Sequence, residues 1–148
     1  MQAIQTQDLE LASFSQSSAR DNVVRAAWPV YRDTGAANTA VVYFELDPGM
    51  ELPTHTDSAE EVLIVLEGEI EASIDGERGR IGAGGLAVVP AKAPHGARNV
   101  GDGLARVAGV FPSNTIVAIF DDEFEGIRTR VVGTPPPAEL AQPTPAGA

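Results

Sequence analysis

Glu61-Val62-Leu63-Ile64-Val65-Leu66-Glu67-Gly68-Glu69-Ile70-Glu71-Ala72-Ser73-Ile74-Asp75-Gly76 carries the two patterns that decide the fold. From Glu69 onward the stretch alternates, with Ile70, Ala72 and Ile74 on one side and charged or polar residues on the other. A period of two places successive side chains on opposite faces, which predicts a strand with one buried and one wet face. Asp75-Gly76 followed by Glu77 is a tight-hairpin signal, because glycine accepts the positive φ that a two-residue turn demands. The first half is almost continuously apolar from Val62 to Leu66 and reads as a central strand covered on both sides, at the core or at a subunit contact.

Outward from this hairpin the chain keeps the same rhythm, short apolar runs separated by Gly, Pro, Asp or Asn. That spacing predicts an all-β sandwich or barrel. The expected strands are 22–31, 39–46, 62–66, 69–75, 79–81, 86–89, 97–100, 104–111 and 115–120. Pro90, Pro94 and Pro112 mark strand ends, since proline cannot donate to a ladder. The chain has 148 residues with 43% hydrophobic and 21% charged side chains, which suits one globular domain. We place that domain at residues 21–133, with an N-terminal arm or short helix at 1–20. The stretch 134–148, with five prolines and few core-forming residues, is expected to be an extended or disordered tail.

The formal net charge is −11, and between Arg32 and Arg78 there is no Lys or Arg while twelve carboxylates fall there. Such a surface repels phosphate backbones, so a nucleic-acid partner is not expected. Most of these carboxylates are expected to be solvated, with one or two facing a cation. No apolar run approaches the ~18 residues that a membrane helix needs, and the first residues show neither a basic start nor an apolar signal core, so the expected location is the cytoplasm. The absence of cysteine excludes disulfides, thiolate metal sites and cysteine nucleophiles, leaving imidazole and carboxylate to carry metal or acid–base chemistry.

Only two histidines are available, His55 and His95. His55 and Asp57 are two residues apart and share one face of an extended strand. A short turn at Ser58-Ala59 would bring Glu61 onto the adjacent strand beside His55. With His95 added, two neutral imidazoles and one or two carboxylates make a shell suited to a divalent first-row ion with open positions. A lone histidine in a β domain is more often a satisfied core or surface residue than a ligand.

Both histidines sit inside longer patterns that resemble the two signature motifs of the cupin superfamily. Gly49, His55, Glu61 and Gly68 fall on the first, with Asp57 where a second histidine is usual. Gly84, Pro90, His95 and Asn99 fall on the second, with Lys92 where a glycine is usual. The resemblance runs from Gly49 to Asn99 and implies a double-stranded β-helix, a cupin jelly-roll barrel whose open end holds the site. It implies a mononuclear centre of Fe, Mn, Ni or Zn held by His55, Asp57, Glu61 and His95, with Asp57 and Glu61 as the candidate catalytic carboxylates. Pro90 is expected to end a strand before a loop that presents His95, and Asn99 to brace a loop through its amide. Trp28, Tyr31, Tyr43, Phe44 and Phe111 are expected mainly in the core, and Arg106 in surface pairing with acidic residues.

Three functions fit these observations. The first is a metal-dependent enzyme acting on a small organic molecule, dioxygenase-like or an isomerase or cyclase. The second is a non-catalytic module that binds a small ligand or a metal. The third is a dimerisation domain. A homodimer is expected under each, because the apolar stretch Val62–Leu66 offers a contact surface.

Overall fold

The computed structural model describes residues 1–135 and is almost wholly antiparallel β. Twelve strands follow in order: β1 (Ala12–Gln16), β2 (Ala19–Val30), β3 (Ala40–Leu46), β4 (Glu51–Asp57), β5 (Glu61–Glu67), β6 (Glu69–Ile74), β7 (Glu77–Gly82), β8 (Leu86–Val89), β9 (His95–Asn99), β10 (Ala105–Phe111), β11 (Val117–Phe120) and β12 (Val131–Gly133). Single 3-10 turns lie at Thr6–Asp8 and Arg32–Thr34. The strands form two six-stranded sheets, ordered β1-β2-β3-β10-β5-β8 and β12-β11-β4-β9-β6-β7. Val24, Phe44, Leu63 and Val65 from the first sheet pack on Ile70, Ala72 and Ala97 from the second in one buried cluster. This is the jelly roll that the strand rhythm and the two motifs imply.

The deciding hairpin forms as its residues require. Ile74 pairs with Glu77 across Asp75 (φ 50°) and Gly76 (φ 86°), two consecutive left-handed residues that give a tight turn twisted to match its strands. Ile70 and Ala72 are buried while Asp75 and Glu77 stay exposed. At Gly68 two constraints coincide: its φ is +79°, and a Cβ there would stand 2.6 Å from the Leu104 carbonyl oxygen.

Three strands, β1, β4 and β12, exceed the expected set. Residues within the stretch expected as an arm form β1, whose Ala12 and Phe14 pair with Ala26 and Val24. Ala12, Phe14 and Gln16 alternate with Ser13 and Ser15, a pattern too polar to read as a strand from the sequence but regular once β2 is beside it. β12 closes the other sheet against β11. Thr134 continues that contact, its amide donating to the Ile116 carbonyl and its hydroxyl accepting from the Ile116 amide. Most of the proline-rich stretch expected as a tail lies outside the described residues.

β4 contains a bulge that decides where the histidines go. Leu52 pairs with Ala97 and His55 with His95, so β4 spends one residue more than β9 over the same span. The extra residue falls at Pro53-Thr54, a place where proline forgoes a ladder bond without harm. Gly96 on β9 accommodates it, since a Cβ there would stand 2.8 Å from the Leu52 carbonyl oxygen.

β5 lies inside its sheet between β10 and β8, but only one face is sealed. Glu61, Leu63 and Val65 are buried, whereas Val62 and Ile64 are half-buried and Leu66 is 42% exposed. The expectation of cover on both sides therefore fails for the outward face within a single chain.

The motif ends are held together by the backbone and by Asn99. Gly49 N–H donates to the Asn99 carbonyl (3.1 Å), and Asn99 N–H donates to the Met50 carbonyl (2.9 Å). The buried Asn99 amide donates to the carbonyls of Leu46 and Gly103 and accepts from Gly101 N–H, which is the loop brace expected of it. Lys92 sits where glycine is usual and adopts φ +64°. A side chain in that region costs about 1 kcal/mol. Lys92→Gly is expected to raise unfolding stability by about 0.5–1 kcal/mol in urea denaturation, the relief of strain outweighing the added freedom of the unfolded chain. An unchanged or lowered midpoint would show that the Lys92 side chain makes up for its backbone.

Candidate metal centre

Strand pairing assembles the site from three strands and both sheets. β4 runs antiparallel between β9 and β11, so His55 is paired with His95 on one side and Phe120 on the other. The two imidazole centroids are 4.1 Å apart, and the His55 ring stacks on Phe120 at 4.5 Å with the planes 16° apart. Asp57 follows His55 on the same inward face. Glu61 arrives from β5 in the opposite sheet. The turn after Asp57 carries the chain across the barrel rather than onto a neighbouring strand, so Glu61 faces His95 and not the adjacent-strand position beside His55 that the spacing suggested. His95 is the first residue of β9, not part of the preceding loop, and its direction is therefore set by sheet register.

Each ring is oriented by the backbone two residues before it. Nδ1 of His55 is 2.8 Å from the Pro53 carbonyl oxygen and Nδ1 of His95 is 2.9 Å from that of Ala93. A carbonyl can only accept, so both Nδ1 atoms carry hydrogen and both Nε2 atoms face the interior. Asp57 Oδ2 lies 3.6 Å from His55 Nε2 and 3.1 Å from His95 Nε2, and Glu61 Oε1 lies 3.3 Å from His95 Nε2. All four residues are buried.

Burial and mutual contact set the charges. Burial acts to raise the Asp57 carboxyl, yet the two imidazoles overcome it and hold Asp57 at about 2. Burial opposes charge on His95, but the carboxylates of Asp57 and Glu61 close beside it drive its pKa up to about 10. For Glu61 burial dominates and, with the adjacent Asp57 charge, pushes the carboxyl upward. The pocket thus collects negative charge and draws a proton onto His95 to offset it.

A divalent ion fits this donor set better than a proton does. One ring nitrogen of His55, one of His95 and a carboxylate oxygen of Asp57 all lie within 4.8 Å of one another, and both Nε2 atoms lie within 3.6 Å of Asp57 Oδ2. Ligand bonds of about 2.1 Å put donors on a common ion about 3–4 Å apart, so little adjustment is needed. Asp57 Oδ2 and His95 Nε2 have no aligned hydrogen-bond partner although both are buried. Such orphaned polar atoms are costly unless something between them accepts both. Glu61 stands just beyond this trio, against His95.

Glu61 also depends on a residue that carries no side chain. Gly109 lies on the inward face of β10, and a Cβ there would run into the Glu61 carboxylate and into Val42 Cγ1. No motif position marks Gly109; an apolar alternation ending Gly-Val-Phe was its only trace in the sequence.

Above the four residues an apolar cavity of about 250 Å³ opens between the sheets, reached by His55, Asp57 and Glu61 at its floor. Trp28, Tyr31, Phe44 and Phe111, expected mainly as core, line it, as do Phe14, Phe120 and Phe124, which the sequence did not single out. Tyr43 does belong to the buried interior, its hydroxyl donating to Glu45 and accepting from Arg106. Arg106 pairs with Glu67 and Tyr43 at the surface, as expected. Of the twelve carboxylates in the stretch free of basic residues, only Asp57 and Glu61 are buried.

Comparison with known proteins agrees with the motifs. A family model described as a cupin domain matches residues 42–111. No curated protein matches the chain in sequence. Among solved structures, the cupin domain of Schizosaccharomyces pombe Cnp3 is similar at TM-score 0.60 and 17% identity, over 75% of this chain and 73% of that one. The polyketide cyclase RemF from Streptomyces resistomycificus is similar at TM-score 0.60 and 20% identity, over 76% and 79%. A formate complex of Lactobacillus farciminis oxalate decarboxylase is similar at TM-score 0.68 and 18% identity, over 80% of this chain but 35% of the decarboxylase. At these identities the likeness is one of fold.

Overpacking of a filled interior costs about 1–3 kcal/mol, so Gly109→Ala is expected to destabilise the protein by that amount. Most of the loss is expected to disappear in the Gly109→Ala/Glu61→Ala double variant, measured by a denaturation cycle. Additive losses would show that Val42, not Glu61, meets the added methyl.

Proposed function

We propose a metal-dependent function for this chain, which belongs to the cupin superfamily: His55, Asp57 and His95 hold one divalent first-row ion at the floor of the cavity, where a small organic molecule is transformed. The observation that carries the reading is the convergence of two interior-facing Nε2 atoms on a buried carboxylate, with no Lys or Arg among the described residues that line the site. Fe, Mn, Ni and Zn all suit such donors. When bound, the ion supplies Lewis acidity or, if iron, redox reach. Dioxygenase-like and isomerase or cyclase chemistry both draw on such a centre.

The chain's own residues divide the remaining work. The Pro53 and Ala93 carbonyls fix the two rings, which keeps both lone pairs aimed at one point. Asp57 adds negative charge as a ligand. Glu61, outside the donor trio but beside His95 and open to the cavity, is the group placed to accept or return a substrate proton. The aromatic walls offer water few polar partners, which favours an apolar occupant beside these groups.

Elemental analysis of untagged protein, followed by metal titration, tests the reading. About one equivalent of a divalent transition metal is expected in the wild type, with binding weakened about 100-fold or more in His55→Ala, His95→Ala and Asp57→Ala and by less in Glu61→Gln. Because binding must displace the proton that His95, raised to about 10, carries, affinity is expected to rise by about tenfold per pH unit between pH 6 and 8. Absence of metal after reconstitution with each of the four ions would overturn the reading and leave a non-catalytic small-ligand module as the better account.

A second copy of the chain is the proposed partner. On the outer face of the first sheet Val62 pairs with Val88 and Ile64 with Leu86. Leu86 is 65% and Val88 59% exposed, next to exposed Leu66, and β8 is the last strand of its sheet. An apolar row on an edge strand invites pairing with another chain. Sedimentation is expected to show a dimer that Leu86→Glu/Val88→Glu converts to a monomer; a monomeric wild type would refute the pairing.

A further inference from the structure

The aromatic residues of this chain are concentrated to an unusual degree. All five phenylalanines, the single tryptophan and one of the two tyrosines line the one cavity that contains His55, Asp57 and Glu61. In a β domain with 5% aromatic residues, the ordinary place for such side chains is the packed core. Here they pack into the buried clusters on one side and border the cavity on the other. Phe14 and Phe124 meet edge to face at 5.0 Å, Phe120 meets Phe124 at 4.8 Å, and Trp28 and Phe111 lie 5.9 Å apart on the other wall. Alanines complete the lining at Ala12, Ala26, Ala27 and Ala118, where larger residues would fill the space.

The charges of the lining are equally one-sided. Among the described residues no Lys or Arg contributes to it, and its acidic side chains are Glu10, Asp57 and Glu61. The Arg25 guanidinium is engaged with Asp47 and Glu45, and that of Arg106 with Tyr43 and Glu67, so neither is spared for the cavity. An anion entering would lose its hydration without meeting a Lys or Arg, and His95 at the floor is already engaged by Asp57 and Glu61. A neutral flat molecule would exchange water for ring faces and edges on several sides. Size agrees: an apolar cavity of about 150 Å³ takes one benzene ring, so about 250 Å³ has room for two fused rings.

We propose that the cavity selects uncharged aromatic molecules of about two fused rings and rejects small carboxylates. This rests on the reading of the cavity as the ligand chamber of the metal centre, but the selection comes from the walls and persists without an ion. It is therefore tested on metal-free protein, which separates its failure from failure of the metal reading.

The probes are 2-naphthol and its anionic counterpart 2-naphthoate, titrated by calorimetry into chelator-treated wild type. Trp28 fluorescence serves as a second signal, since no other tryptophan exists. Naphthol is expected to bind at a single site, with naphthoate at least about tenfold weaker. Ala26→Leu places a larger side chain into the lining away from the four polar residues. It is expected to weaken naphthol binding at least about tenfold while the melting temperature stays level or rises, as cavity filling predicts. No naphthol binding up to millimolar concentration, equal or tighter naphthoate binding, or full binding by a folded Ala26→Leu variant would each overturn the proposal. If no ion binds under any reconstitution while naphthol still discriminates, the metal reading falls and this one stands.

Discussion

The structure turns on one constraint: two carboxylates and two imidazoles occupy the inside of an apolar barrel, where an unpaired charge is very costly. Asp57 and Glu61 are each about 3 Å from the same His95 nitrogen, and nothing else in contact can neutralise both. Isolated buried charges of this kind neutralise or find a counter-ion. The raised His95 and raised Glu61 are the neutralising response available to the protein alone. A divalent cation meets the same demand without protonating any ligand, so metal affinity and the stability of this interior are two aspects of one electrostatic problem.

Several features remote from the donors follow from it. The bulge at Pro53-Thr54 places His55 opposite His95, and Gly96 leaves room for that bulge. Gly109 leaves room for Glu61 on the facing sheet. Asn99 ties the end of β9 to the chain entering β4, so the strands carrying the two histidines are held as a unit at both ends. The two departures from the usual motifs also meet: Lys92 N–H donates 2.9 Å to the Asp57 carbonyl. The strained residue of one motif thus supports the backbone of the substituted residue of the other.

The β architecture was legible because period-two alternation and turn chemistry are local. Ile70, Ala72 and Ile74 announce a strand, and Asp75-Gly76 announces its turn, whatever surrounds them. The four polar site residues were legible through two spacings. Their mutual arrangement was not: whether Glu61 comes from the same sheet as His55 or the opposite one depends on where the chain goes after Ser58, which no local pattern encodes. β1 and β12 escaped for a related reason, being edge strands whose pairing is specified by the partner strand. Phe120 was hidden because Val117-Ala118-Ile119-Phe120 is apolar on both faces, so hydropathy alone does not say which side faces a cavity. Gly109 was invisible, since a missing side chain carries meaning only once the group that needs its space is in place.

The aromatic walls and the acidic floor make opposite demands, and their combination narrows what the barrel can do. Rings packed at their natural density would close the space between the sheets, yet four alanines keep it open beside seven aromatic side chains. Maintaining an apolar void forgoes dispersion contacts and costs stability in proportion to its volume. A fold would be expected to lose such a void by drift toward larger residues unless an occupant recovered those contacts. The floor bears on the same occupant from the other side, because low dielectric strengthens the attraction between its carboxylates and a cation and the repulsion between them and an anion. An occupant that satisfies both demands presents an uncharged apolar body to the walls and leaves the positive charge to be supplied separately at the floor. The division of labour between a metal held by His55, Asp57 and His95 and a neutral ligand held by the rings is thus the arrangement in which neither the void nor the buried charge remains uncompensated.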